Sequence, residues 1–269
     1  MAAGVLDGVW SLILGVSGGM GRGCALALAE QGSNILGVHL DTAAGQSAAD
    51  ELERQLRGLG VQTRFFNENA ASDRSRAKII AEAAGLVGPA GVRVFMHSLA
   101  FGSLVPFLPG PDGDGDEPHA TRAQMDMTLT VMAHSLVYWT QDLLAAGLLG
   151  AGAKIFAMTS AGTARVTRSY GMVSAAKCAL ESHVRQLAVE LAPRAVSVNA
   201  IRAGITLTES FLRIPESGEL SERARLGNPH GRLTTEQDVA EAVVLLAQAR
   251  SSWLTGNVIG VDGGEILTV

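Results

Sequence analysis

Seven apolar runs of strand length punctuate the chain: VWSLILG (9–15), NILGVHL (34–40), VQTRFF (61–66), VRVFMH (92–97), AKIFAMT (153–159), AVSVNAI (195–201) and NVIGVD (257–262). Ala/Leu/Glu/Arg segments with helical spacing lie between them. Such alternation predicts parallel strands, because each parallel pair needs a crossover long enough to hold a helix. A glycine-rich turn directly after the first run favours a doubly wound sheet over a closed eight-fold barrel. The expected fold class is α/β, a three-layer doubly wound parallel sheet of about seven strands, the Rossmann fold. No linker divides the 269 residues and no repeat is evident, so a single dinucleotide-binding domain over 1–269 is expected.

Composition narrows the partners. With 47% hydrophobic and 17% charged residues the chain can bury a sizeable core, and a net charge of -5 without long single-sign runs gives no footprint for nucleic acid or an anionic membrane. The N-terminal apolar run lacks a positive flank and stops at Gly15, so a cytoplasmic chain with no membrane association is the expectation. Cys24 and Cys178 fall in helical patterns and are expected as small buried apolar groups. In PGPDGDGDEP (109–118), Asp112, Asp114 and Asp116 have the spacing of a calcium loop. Glu117 stands where that loop needs glycine and Ala123 where it needs glutamate, so a solvated loop without metal is expected.

The turn GVSGGMGRG (15–23) carries Gly15, Gly19 and Gly21 ahead of a helix-like segment. Glycines there let the backbone approach a pyrophosphate, whose charge is met by free N–H groups at the helix start. Gly15, Ser17, Gly19, Met20 and Gly21 are the expected cofactor contacts. After the second run an acid reads the ribose hydroxyls or a cation reads a 2′-phosphate. Asp41 is the only acid there and no Arg or Lys follows until Arg54, which favours NADH while leaving NADPH possible. The alternative for Asp41 is a helix N-cap with Thr42.

Tyr170 is one of two tyrosines, and Lys177 one of three lysines. Val173, Ala176, Leu180, Val184, Leu187 and Leu191 mark a buried helical stripe that ends at Pro193. Residues seven apart differ by about 20° around a helix, so Tyr170 and Lys177 are expected to share one face with Val184. A lysine on that line needs a partner for its ammonium, such as ribose hydroxyls, and its charge would favour donation by a nearby phenol. The alternative is an exposed tyrosine and a snorkelling lysine.

These features resemble the short-chain dehydrogenase/reductase superfamily over nearly the whole length: GVSGGMG, the Tyr170 and Lys177 segment, VSVNAIRAGITLT, and the closing GNVIGVDGG. Ordinary members place the lysine four residues after the tyrosine, where Ser174 stands here. A gap of seven resembles the enoyl-acyl-carrier-protein reductase branch, as do MHSLAFG (96–102) and the lack of asparagine in the helix expected over 121–147. Many of those reductases carry a second tyrosine ten residues before the first; Ser160 occupies that position and resembles the carbonyl-reducing members.

The resemblance implies hydride transfer from NADH to C3 of a trans-2-enoyl thioester, carried on acyl carrier protein or coenzyme A. Tyr170 would donate to the thioester oxygen, Lys177 hold the nicotinamide ribose, and Ser160 add a donor or order a water. It also places Thr206 at the carboxamide, Thr208 near the pyrophosphate, Asn69 and Ala70 beside the adenine, and Ser98 and Ala100 along the nicotinamide half. Phe101, Leu104 and the segment 208–227, within 206–230, are expected to cover the acyl chain. Core packing is the alternative for Phe101. His97 is expected as a hydrogen-bonded core histidine without a catalytic role. By the same resemblance, helices over 121–147 and 170–192 pack against their copies in a homotetramer. A carbonyl reductase of the same fold and a catalytically inactive dinucleotide binder are the alternative functions.

Overall fold

The computed structural model describes residues 4–109 and 118–268, so the three aspartates of the acidic stretch lie outside the described residues. Seven strands form one sheet in the order β3-β2-β1-β4-β5-β6-β7. They are Trp10–Leu14 (β1), Asn34–His39 (β2), Thr63–Asn67 (β3), Val92–His97 (β4), Lys154–Ser160 (β5), Ser197–Ala203 (β6) and Val258–Val261 (β7), each overlapping one of the seven apolar runs. Every pairing is parallel.

Helices cover both faces because strand side chains alternate in direction. One face presents Leu12, Leu14, Phe95 and Ile155 to α3 (Asp73–Val87), α5 (Ser135–Ala145) and α6 (Gly171–Leu191). The other presents Ile13, Val94, Met96 and Phe156 to α1 (Gly19–Glu30), α2 (Ala43–Gly58) and α9 (Glu236–Gln248). α4 (Arg122–Leu129) runs into α5 through a π-helical segment, Thr130–His134, which interrupts the long helix expected over 121–147. Two short helices, α7 (Glu209–Leu212) and α8 (Ser217–Gly227), follow β6.

The chain leaves β1 toward β2 and β3, then returns to place β4 on the other side of β1. This reversal opens a crevice at the carboxyl ends of β1 and β4, where open α/β sheets bind ligands. Ser98 N, just past β4, donates to Leu14 O at 3.0 Å, so the two strand ends leave the sheet side by side.

Among the described residues, no helix is long and apolar enough to cross a membrane. Cys24 is buried in α1 as expected, but Cys178 is exposed, because its place on α6 falls between the stripe residues rather than on them.

Trp139 is fully buried between α5 and the sheet, and its indole N–H donates to Ala70 O at 2.8 Å. Replacing Trp139 by Phe keeps much of the packing but strands that carbonyl. We expect a loss of about 2 kcal/mol in a denaturant titration with an unchanged slope.

Candidate active site

The glycine turn is dictated by space. Gly15 adopts φ +81 and a Cβ there would overlap Ser98 O; a Cβ on Gly21 would overlap Gly15 O. Gly19, at φ +52, leaves the Thr208 methyl 3.3 Å from where its Cβ would stand. The N-cap of α1 is Gly18, with no side-chain cap and no acid in the first turn. The first amides are thus left to a ligand, and the cradle fits an anionic diphosphate. Ser17 lies in this turn, and Met20 packs beneath it against the α1–α9 core.

Thr208 caps α7 by accepting from Phe211 N at 3.2 Å, which puts the start of the segment after β6 over the glycine turn. The exit from β6 is held by buried Glu265, which accepts from Ile205 N at 3.0 Å. Thr206, also buried, donates to Gly204 O at 3.1 Å. At the far end of the crevice Asn69 is exposed and turns its side chain to accept from Ala71 N, while Ala70 is buried. Asp41 does not cap α2: Thr42 is the N-cap without a side-chain bond, and Asp41 pairs instead with His39.

Tyr170 and Lys177 reach the crevice by different routes. The chain turns at Ser169, a non-glycine residue at φ 61, and Tyr170 is the N-cap of α6 at φ -99, ψ 2, outside the helix. The tyrosine thus stands at the cap of the helix rather than inside it, and its carbonyl accepts the first helical bond, from Ser174 N at 2.9 Å. Its hydroxyl lies 3.4 Å from Ser160 Oγ, which accepts from Gly162 N at 3.3 Å and so keeps its own proton to donate. Gly162 is needed there, since a Cβ would stand 2.6 Å from the Tyr170 ring.

Lys177 is buried and its ammonium donates to Met158 O at 2.6 Å, a partner that the sequence did not suggest. Met158 and Ser160 are two residues apart on β5, so the acceptor of the ammonium and the hydroxyl beside the phenol come from the same strand. Ser174, at the ordinary lysine position, is spent on Gly162 O at 2.5 Å and braces the loop.

Burial sets the electrostatics. It raises the Tyr170 phenol above its ordinary value, with the Ser160 hydrogen bond opposing, so the phenol stays protonated. Burial also pushes Lys177 down to about 8, with Glu181 pulling it back up. His97, fully buried at the end of β4, is pushed down to about 3 by burial and then by the Lys177 charge. Its Nε2 lies 2.7 Å from Ser135 Oγ in the helix after the π segment, which fits the expected core histidine.

The wall beside the phenol is apolar. Met132, Val173 and Ala176 form a buried cluster with Leu104, Leu129 and Tyr170 against it. Phe101 and Ala100 are exposed, Ser98 is partly buried, and Phe107 lies over the start of α6, where a Cβ on Gly171 would stand 2.5 Å from its ring. The sequence missed Phe107, because a phenylalanine in an irregular loop carries no periodic signal.

Residues 15–265 match the family model described as Enoyl-(Acyl carrier protein) reductase. The chain belongs to the short-chain dehydrogenase/reductase family. It is similar to galactitol 2-dehydrogenase (L-tagatose-forming) of Cereibacter sphaeroides, 30% identical over 96% of this chain and 95% of that one. It is also similar to an NADPH-dependent aldehyde reductase-like protein of Arabidopsis thaliana, 28% identical over 97% and 95%. Among solved structures it is similar to the enoyl-[acyl-carrier-protein] reductase (NADH) of Aquifex aeolicus, with TM-score 0.81 and 26% identity over 97% and 98%. This short-chain family member is thus an oxidoreductase of the NAD(P)(H)-binding class.

Gly15→Ala should abolish cofactor binding, because the left-handed backbone and the Ser98 carbonyl both reject a methyl group. A fluorescence titration with NADH checks this, with a thermal melt to show that the variant is folded.

Proposed function

We propose that the chain is an NADH-dependent reductase of trans-2-enoyl thioesters, presented on acyl carrier protein or coenzyme A. The observation that carries the reading is the Tyr170–Lys177 arrangement: a protonated phenol at the helix cap against an apolar wall, with the ammonium two turns inward. The reduced nicotinamide supplies the hydride. As C3 accepts it, negative charge grows on the thioester oxygen, and Tyr170 donates a hydrogen bond to that oxygen. A phenol held protonated by burial suits this role, because the proton that completes the reaction is added at C2. A positioned donor of this kind is worth about 3 kcal/mol of transition-state stabilisation.

Lys177, fixed on Met158 O, has its remaining N–H bonds for the hydroxyls of the nicotinamide ribose. The cradle of Gly15, Ser17, Gly19, Met20 and Gly21 would hold the pyrophosphate with Thr208 above it. Thr206 would meet the carboxamide, Asn69 and Ala70 the adenine, and Ser98 and Ala100 the nicotinamide half. Leu104 belongs to the apolar wall and Phe101, half-exposed, to its rim. Val166, Thr167 and Arg168, before Tyr170, and Glu216, Leu220 and Arg223, around α8, line a 210 Å³ groove suited to the thioester's polar arm. A cytoplasmic homotetramer packed through α4/α5 and α6 belongs to the same proposal.

One observation favours a carbonyl reductase. Ser160 and Tyr170 converge at 3.4 Å, so two hydroxyls could grip one ketone oxygen.

NADH oxidation followed with crotonyl thioester and then with acetoacetyl thioester separates the readings. We expect turnover with the crotonyl substrate, and Tyr170→Phe to lower kcat by about 100-fold or more with the NADH dissociation constant little changed. Oxidation with the β-keto substrate alone would establish the carbonyl reading, and cofactor binding without turnover on either would establish an inactive binder.

A further inference from the structure

We propose that His39 selects the cofactor by holding Asp41 in place as an acceptor for the adenosine 2′-hydroxyl, so that NADH is bound in preference to NADPH. The inference rests on the dinucleotide reading but not on the identity of the reduced substrate.

β2 ends at His39, beside Asn67 of β3 on one side. On the other side Gly15 N and Val16 N donate to Val38 O, so the strand end abuts the glycine cradle. This is the place at which doubly wound dinucleotide folds present an acid to the ribose. Here an imidazole ends the strand and the acid follows two residues later.

The two form one unit. His39 Nδ1 lies 2.8 Å from Asp41 Oδ2, with the imidazole side chain 1% exposed and the carboxylate side chain 25% exposed. An ionised carboxylate only accepts, so Nδ1 carries a proton and donates it. Asn67 clamps the backbone of the same residue: Asp41 N donates to Asn67 Oδ1 at 3.1 Å, and Asn67 Nδ2 donates to Asp41 O at 3.0 Å. Gly45 completes the seat, since a Cβ there would stand 3.0 Å from Asp41 Oδ1. The carboxylate is thus fixed by a buried donor on one side, and part of it stays accessible at the end of β2.

A hydroxyl can donate to that accessible part, whereas a 2′-phosphate cannot and would be repelled unless a cation intervened. The arginines of α1, α2 and β3 are directed elsewhere. Arg22 of α1 donates to Gln55 at 3.3 Å, about 18 Å along α2 from the helix start that faces the ribose. On α2, Arg54 pairs with Glu51 and Arg57 with Glu53; on β3, Arg64 pairs with Glu82.

The test is a fluorescence titration of the full chain with NADH and with NADPH, without substrate, paired with thermal melts. The wild-type chain should bind NADH at least about tenfold more tightly. His39→Leu, which fills the space without a donor, should bring the two affinities within about threefold of each other. His39→Asn, which can offer an amide N–H near the same point, should restore most of the preference. A wild-type chain that prefers NADPH would overturn the proposal, as would a folded His39→Leu variant that keeps the full ratio. Should His39→Leu fail to fold, Asp41→Asn decides at a partly exposed site: collapse of the ratio supports the proposal and an unchanged ratio overturns it. Binding of neither cofactor would overturn it together with the dinucleotide reading, whereas failure on enoyl thioesters leaves the ratio untouched.

Discussion

The site depends on an ammonium sealed between β5 and α6. Among the described residues Lys177 is one of the few buried cations, and its ammonium donates to a main-chain carbonyl, that of Met158. A buried charge with one neutral partner is costly, which is why the group is pushed down to about 8 from its ordinary 10.5. The difference amounts to roughly 3 kcal/mol against folding at neutral pH. Because the unfolded chain holds that proton more tightly, this group's contribution to stability improves as the pH rises from about 8 to 10.5 and then levels off. The same charge helps to keep His97 neutral. A fold keeps such a cost where binding returns it, and ribose hydroxyls are the kind of acceptor that would do so.

The rest of the crevice is organised by close approach of backbone to backbone. β1 and β4 part company at Gly15 and Ser98, so tightly that a single methyl on Gly15 cannot be accommodated. The segment after β6 comes back across this point through Thr208, and the loop after β5 is braced by Ser174 on Gly162. The glycine turn and the phenol therefore sit at a strand end and a helix cap, and Phe107, in an irregular loop, lies over the start of α6. This division suits a site in which charge must be positioned and an apolar chain merely enclosed.

Much of this was legible in the sequence, for identifiable reasons. The seven apolar runs predicted the seven strands because parallel strands are buried on both faces and show no polar interruption. The glycines at 15, 19 and 21 announced the cradle, since only glycine meets its steric demands. The left-handed turn at Ser169, directly before Tyr170 at the helix cap, had no such signal, because serine does not advertise a positive φ. The π segment at 130–134 was equally invisible, because its apolar spacing passes for an ordinary helix. The Met158 carbonyl and the His39–Asp41 pair escaped notice because main-chain acceptors and two-residue side-chain bonds leave no periodic trace.

That Lys177 carries its charge into a desolvated site is tested by NMR titration of the lysine ε-methylene signals. The chain has only three lysines, and comparison with Lys177→Met assigns the signal. The expected midpoint for Lys177 is near 8 in the protein without cofactor, rising when NADH is added and its hydroxyls become acceptors. A midpoint at the ordinary 10.5, unmoved by NADH, would show a solvated ammonium and contradict it.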